Sequence, residues 1–327
     1  MYAVITNNAA SSSTVYGNVE WTHADAGGGG GTTEGGTESP PPPPDVIGAI
    51  VNETLYVKEG NLRNAWVNEG SGFKDVSIST DPTNGALIGV LTNTGHALVK
   101  QGVFGEWVDL GAGMTSVKVA TDPANGPLIG VLNNGHAYVK RGIYGTWVDE
   151  TSNAAALSIA TDATHGALIG VITTTGSALV KSGLYGTWVN EIGSPTALRV
   201  ATDSSHGPLI GAIVAGTVYV KTGSLGAGWV AEESNDQALA LATDPTNGPL
   251  IGALRNSGLA VVKQGSLYGT WVEELGSVKS LSLGSDANGG ALIGAVTTGG
   301  VAYVKQGGLS SEWVEEIGSV EKLEVAG

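Results

Sequence analysis

Three residue types recur in one register along this chain. Tryptophan followed by valine stands at Trp66, Trp107, Trp147, Trp188, Trp229, Trp271 and Trp313, at intervals of 41, 40, 41, 41, 42 and 42 residues. A lysine preceded by valine keeps the same period at Lys58, Lys100, Lys140, Lys181, Lys221, Lys263 and Lys305. Three residues after each Trp comes an acid, at Glu69, Glu150, Glu191, Glu232, Glu274 and Glu316, with Leu110 breaking the set. An indole can stack on the apolar face of a sugar ring, and seven would give a multivalent ring of sites. One large residue per repeat can equally pack between neighbouring units. The loop before Trp carries further aromatics, Phe104, Tyr144, Tyr185 and Tyr268, and these vary between repeats, with Leu225 in one such loop. Variable aromatics in exposed loops point to binding more than to core packing.

The charged and polar repeats have two readings each. Adjacent antiparallel strands would bring Lys and Glu together across one sheet. Exposed pairs of that kind contribute under about 1 kcal/mol. The sharper reading is a ring of lysines for acidic sugars. The turn aspartates Asp81, Asp122, Asp162, Asp203, Asp244 and Asp286 could grip sugar hydroxyls or Ca²⁺, or cap their own turns, which the adjacent Pro or Asn-Gly explains. His96 and His136 sit at equivalent hairpin turns and suit a sugar site. His165 and His206 replace the Asn before Gly and read as turn residues. Four histidines on separate repeats make no metal site.

Composition narrows the function classes. With no Cys, a disulfide scaffold, a Cys-ligated zinc and a thiol nucleophile are excluded. The formal net charge of −15 argues against a nucleic-acid binder. Enzyme signatures are missing: no Ser-His-Asp pattern, phosphate loop or HExxH. The four arginines, Arg63, Arg141, Arg199 and Arg255, are scattered over different repeats. A carboxylate pair about 5–10 Å apart could still serve a glycosidase. Near-identical repeats argue instead for repeated binding, so the expectation is a binder without cofactor or metal. Neither a basic, apolar leader nor a run of about 18 apolar residues is visible, which predicts no membrane insertion. The expected location is a virion, or outside the cell after release without a signal peptide, and otherwise the cytoplasm.

Four short β-type runs make up each repeat of about 41 residues. In Ser116–Glu150 the first is Val117 to Thr121, followed by Asp122-Pro-Ala-Asn-Gly126, whose residues suit a tight turn. The second, Pro127 to Leu132, is almost wholly apolar; Asn133-Asn-Gly135 turns the chain into the third, His136 to Lys140. Thr146 to Asp149 is the fourth. Seven such units predict an all-β, seven-bladed β-propeller of four-stranded blades over residues 45–327. A β-solenoid is the competitor, but it wants capping units, and none is seen. The repeats begin on a second strand near Val46 and end on a first-type strand, SVEKLEVA, so the two ends together complete one blade. Closure of that kind removes exposed sheet edges. The first-type strand carries small Ala and Thr residues, as the inner wall of a channel requires; a phase starting at the LIG strand is the alternative.

The preceding chain differs. Residues 27–44 read as a linker, five glycines and then, from Pro40 to Pro44, a polyproline rod of roughly 15 Å at about 3.1 Å per residue. Residues 1–26 are too few to fold alone. Tyr2, Val15, Val19 and Trp21 mark β-type runs that would add to a partner's sheet, making this a docking segment; a disordered tail is the bland alternative.

The unit LSIATD…GALIGVITTTGSALVKSG…TWVNE resembles the tectonin-type β-propeller repeat, with its Gly-containing hydrophobic strand, a strand ending in a basic residue, and then Trp. That resemblance implies a lectin-like protein binding cell-surface glycans at repeated blade sites. The layout of docking segment, linker and displayed β domain resembles an actinobacteriophage tail or capsid appendage. It implies host attachment through glycans and a protein partner held by residues 1–26. The competing expectation is a structural or decorative propeller that binds proteins and no sugar.

Overall fold

The computed structural model describes residues 44–327, apart from 82, 83, 123, 204, 245, 287 and 288. The proposed docking residues Tyr2, Val15, Val19 and Trp21, nearly all of the linker, and the turn prolines at 82, 123 and 245 lie outside the described residues. Within them are twenty-eight strands and no helix, hence no helix long and apolar enough to cross a membrane.

The strands form seven four-stranded antiparallel sheets, the blades of a β-propeller. Blade 2 shows the order: Phe73–Asp81, Gly85–Thr92, Ala97–Gln101 and Val108–Gly111, each strand paired with the next. Blades 3 to 7 begin at Met114, Ala154, Pro195, Asp236 and Val278. Blade 1 joins the two ends of the repeat region. Val320–Ala326 pairs antiparallel with Val46–Val51, placing Ile47 opposite Val325 and Ala49 opposite Leu323. Thr54–Glu59 and Val67–Ser71 complete that blade. The first strands of all seven blades line one channel, walled by small residues such as Ser79, Ala120, Ala160, Ala201 and Gly284. The expected strand phase and the expected closure are therefore both present.

The core lies between blades rather than within one sheet. The second strand is buried along nearly its whole length, Gly85–Thr92 having only its two end residues partly exposed. Its apolar side chains meet the inner strand of the following blade, as Val46 and Ile50 of blade 1 do with Val76 and Ile78 of blade 2, in one cluster that also holds Ile88 and Val90 of that blade. An Ile-Gly pair stands in the second strand of every blade, from Ile47-Gly48 to Ile293-Gly294, and its glycine follows from this contact. A Cβ on Gly211 would lie 2.7 Å from Leu239 Cδ2, and one on Gly294 2.7 Å from Val325 Cγ1. Glycine is required because the next blade's side chains occupy that space. Gly48 is looser, with its nearest atom at 3.5 Å.

Asp236 breaks the pattern. It stands where the other blades place Phe73, Met114, Ala154, Pro195, Val278 and Val320, and it is 3% exposed. Neither carboxyl oxygen has a hydrogen-bond partner among the described residues. Burial first, and the neighbouring Glu233 second, push its pKa up to about 6 against the opposing pull of Arg255.

Two predictions follow from packing and burial. Gly294→Ala destabilises the chain by about 1–3 kcal/mol through overpacking at the closing blade, whereas Gly48→Ala loses under about 1 kcal/mol; urea unfolding of both variants measures the contrast. Asp236 is raised above its unfolded value, so its contribution to stability is intact below about pH 4 and lost as pH rises through about 6. Asp236→Val is therefore expected to raise stability at pH 7.5 by about 2–3 kcal/mol. The gain shrinks toward pH 4, which unfolding at the two pH values reads directly.

Candidate functional site

Each repeated lysine sits at a boundary between blades. All seven are 5% exposed or less. Six form ion pairs with the acid of the preceding blade: Lys100 with Glu69, Lys181 with Glu150, Lys221 with Glu191, Lys263 with Glu232, Lys305 with Glu274, and Lys58 with Glu316 across the closure. The pairing expected across one sheet, exposed to solvent, is thus corrected to a buried pair between sheets. The physical reason is the blade twist, which turns the end of the third strand toward the neighbouring blade. Burial holds the Glu69, Glu150, Glu232, Glu274 and Glu316 carboxyls above their ordinary range, with the paired lysine pulling the other way. These ammonium groups are closed off from any acidic sugar.

The same Nζ has two further contacts. It lies 4.6–5.1 Å from the centre of its own blade's indole, a cation–π contact in all seven blades. It also donates to a carbonyl in the turn between third and fourth strands, as Lys100 does to Val103 O at 2.6 Å and Lys181 to Leu184 O at 2.6 Å. The indoles of Trp66, Trp107, Trp147, Trp188, Trp229, Trp271 and Trp313 are half-buried and pack on the core clusters between blades. The Trp107, Trp188, Trp229 and Trp313 Nε1 groups donate to the carbonyls of Glu69, Glu150, Glu191 and Glu274 at 3.2–3.3 Å. At these blades the tryptophan supports the boundary, with one ring face beneath the ammonium. Lys140 is the exception. Leu110 stands where its acid would be, Lys140 makes no ion pair among the described residues, and burial lowers its pKa.

This clamp positions the exposed aromatics. In Gly102-Val103-Phe104-Gly105 the turn closes with Gly105 N donating to Gly102 O at 3.0 Å, and equivalent bonds close at Gly145, Gly186 and Gly269. A Cβ on Gly145 would meet Arg141 O at 1.8 Å, so only glycine permits this compression. The apolar residue before the aromatic, Val103, Ile143, Leu184 or Leu267, packs inward, and its carbonyl takes the lysine. The next side chain then points to solvent. Phe104, Tyr144, Tyr185 and Tyr268 are 86, 86, 88 and 85% exposed, and they are the exposed large hydrophobics among the described residues. Arg63, Gly226 and Ser310 hold the position in blades 1, 5 and 7.

Strand direction assigns the remaining candidates to faces. The Asp turns and the aromatic turns both follow strands of the same sense, so they share one face. His136 begins the third strand of its blade and His96 immediately precedes that of its own, while the aromatics follow the strand's other end, five or six residues or roughly 17–20 Å away. Sequence reasoning grouped them; the fold puts them on opposite faces. There each ring pairs with a fourth-strand carboxylate, His96 Nδ1 at 2.9 Å from Asp109 Oδ2 and His136 Nδ1 at 3.0 Å from Asp149 Oδ2. His165 and His206, read as turn residues, are exposed on the aromatic face. Spacing from the turn Asp could have placed them there, had the faces been known.

The turn aspartates Asp81, Asp122, Asp162, Asp203 and Asp244 cap their turns. Asp122 Oδ1 accepts the N–H groups of Ala124 and Asn125 at 2.9 and 2.7 Å, and Asp162 Oδ1 those of Thr164 and His165, both at 2.7 Å. Thr161 of the next blade donates to Asp122 Oδ2 at 2.7 Å. Burial opposes ionisation of Asp162, yet the Thr202 hydroxyl and the two N–H groups outweigh it and hold the carboxyl below its ordinary range. No group of three or more ligating side chains that could hold a metal ion occurs among the described residues.

No protein-family model matches the chain, and no curated protein matches it in sequence. Its fold does recur in solved structures. Apo AztD from Citrobacter koseri aligns with a TM-score of 0.56 at 9% identity, over 86% of this chain and 97% of that one. BBS1N, solved in complex with ARL6DN, gives 0.53 at 12% identity over 73% and 81%. The SapL1 lectin, in complex with alpha methyl fucoside, gives 0.52 at 11% identity over 76% and 97%. The likeness is one of fold: the propeller architecture is shared with a lectin and with a member of a protein complex.

The clamp makes a direct prediction. Lys181→Met leaves Glu150 buried and unpaired and is expected to cost about 3–5 kcal/mol, while Lys181→Met/Glu150→Leu recovers most of it. Hydrogen exchange at residues 182–188 should speed up in both variants, because the turn carrying Tyr185 has lost its donor.

Proposed function

We propose that this chain is a non-catalytic, multivalent glycan-binding propeller. The observation that carries the reading is the set of four aromatic side chains, 85–88% exposed, on equivalent turns of one face. Exposing a large apolar ring loses the burial a core would give it, and a repeated set of such rings on one face suits a binding surface. Flat rings match the apolar face of a pyranose, and the neighbouring polar groups of that face, Arg141, His165 and His206, supply donors for its hydroxyls. Weak sites on blades 2, 3, 4 and 6 become effective together, because linked sites raise the local concentration. The propeller of the SapL1 lectin, bound to a fucoside, supports the assignment of this scaffold to sugar binding. In this reading residues 1–26 attach the propeller to a larger assembly. By the layout it resembles, that assembly is a phage virion, and the bound glycans belong to the host surface. A protein-binding face, with the same aromatics as anchors, is the second reading, since exposed Tyr suits either partner.

The full chain is to be tested on a broad glycan array and on intact Gram-positive and mycobacterial-type cells. Binding that free sugar competes away is expected. Phe104→Ala/Tyr144→Ala/Tyr185→Ala/Tyr268→Ala should weaken it by roughly 10²-fold, the loss of avidity, with thermal stability nearly unchanged. Binding of a protein that free sugar does not affect would favour the second reading. No binding to any glycan or cell sinks the first.

A further inference from the structure

The inner strands are close repeats of one another, yet one position in them is not. Four residues before the turn Asp, the blades carry Ser77, Lys118, Ser158, Arg199, Ala240 and Ser282, and blade 1 carries Glu324 at the matching place. Two residues earlier, small residues give way to Asp75 in blade 2 and Lys322 in blade 1. These charges all belong to the strands that wall the central channel. They gather toward the face opposite the aromatic turns.

The charges do not balance. Lys322 Nζ lies 3.1 Å from Asp75 Oδ1 and 3.1 Å from Glu324 Oε1, so it draws on both carboxylates. Lys118 Nζ reaches Asp75 Oδ2 only at 3.8 Å. Glu324 also accepts the Ser282 hydroxyl at 3.1 Å. Arg199 is left over. Its Nη1 donates to Leu198 O at 3.0 Å, and it makes no ion pair among the described residues. Three cations thus face two carboxylates in a chain whose net charge is −15. Burial, together with the repulsion of Lys322 and Arg199, lowers the pKa of Lys118, while Asp75 and Glu324 oppose the shift.

Space accompanies the excess charge. A cavity of about 250 Å³ opens among Arg199, Ala240, Lys279, Ser282, Lys322 and Glu324. At about 30 Å³ per water it holds the equivalent of roughly eight waters. Alanine at 238 and 240 leaves room beside the guanidinium. Arg199 and Lys279 are exposed, so solvent reaches the site. A guanidinium with free donors is a planar fork matched to two oxygens of a carboxylate or phosphate.

We propose that this end of the channel binds a small oxyanion, a carboxylate or phosphate group, with Arg199 as the fork, Lys322 beside it in the cavity lining, and Lys118, on the same channel wall but outside that lining, adding positive charge at longer range. The site is separate from the aromatic face and does not depend on the glycan reading.

The test is calorimetric titration of the full chain with sodium phosphate and, separately, sodium acetate, against sodium chloride at matched ionic strength. Saturable binding of at least one oxyanion is expected, and whichever binds more tightly identifies the preferred head group. Arg199→Ser should weaken it about tenfold or more, the loss of a charge-assisted pair. Lys118→Ser should weaken it less. The Arg199→Ser variant should keep the wild-type fold by circular dichroism, since Ser77, Ser158 and Ser282 already hold this position in other blades. Lys74→Ser, outside the cavity lining, should bind as the parent does. No saturable signal from either anion, or unchanged affinity in Arg199→Ser, overturns the proposal.

Discussion

A buried ammonium group at each blade boundary governs this structure. Charge removed from water is costly unless it is paired and hydrogen-bonded. Here the lysine finds a carboxylate on the preceding blade, an indole face on its own blade and a carbonyl in its own turn. Those demands can be met together in only one relative placement of two blades. The lysine, the tryptophan and the acid therefore recur in one register because they form a single contact, made between sheets. Closure imposes the same demand across the chain ends, where Lys58 meets Glu316. The boundary between blades 2 and 3 does without the acid. Leu110 packs with Val99, Val119 and Ile129 there, and the lysine retains its carbonyl and indole.

The clamp separates what must stay constant from what can vary. On its inner side there is little spare room: Val103 or Leu184 packs inward, and the turn-closing glycines Gly105, Gly145 and Gly186 admit no Cβ. The next residue outward touches little, and there the blades carry Phe, Tyr, Arg, Gly or Ser. A rigid turn with one free side chain is a display position, and the ring presents six of them on one face, Gly226 leaving the seventh bare. The channel follows a different logic. Its small-residue wall repeats, but the charged positions of blades 1, 2, 3 and 5 do not, so a second set of asymmetric positions lies at the axis.

Much of the architecture could be read from the chain. The period of Trp and Lys, the apolar second strand and the Asp-x-x-Asn-Gly turns are local patterns, and local patterns report strands and turns. The incomplete units at the two ends carried the closure, because a missing strand at one end matches a surplus strand at the other. The display aromatics were also legible, since a large ring whose identity changes between otherwise constant repeats is poorly explained by a core. Asp236 gave no warning: in sequence it is one more acid before a strand, and only its burial beside Glu233 makes it unusual.

The partners of the repeated side chains were a matter for the tertiary structure. The lysine and its acid belong to neighbouring blades and lie about thirty residues apart in sequence, so no pattern within one repeat pairs them. The indole's support of the boundary depends on which blade surface faces it. The separation of His96 and His136 from the aromatic face depends on strand direction within the sheet. The charges of the channel, drawn from strands as far apart as Asp75 and Lys322, meet only because the ring closes. Sequence determined the unit and its number, because strands and turns are set by neighbours along the chain. The ring decided the contacts, because they lie between units.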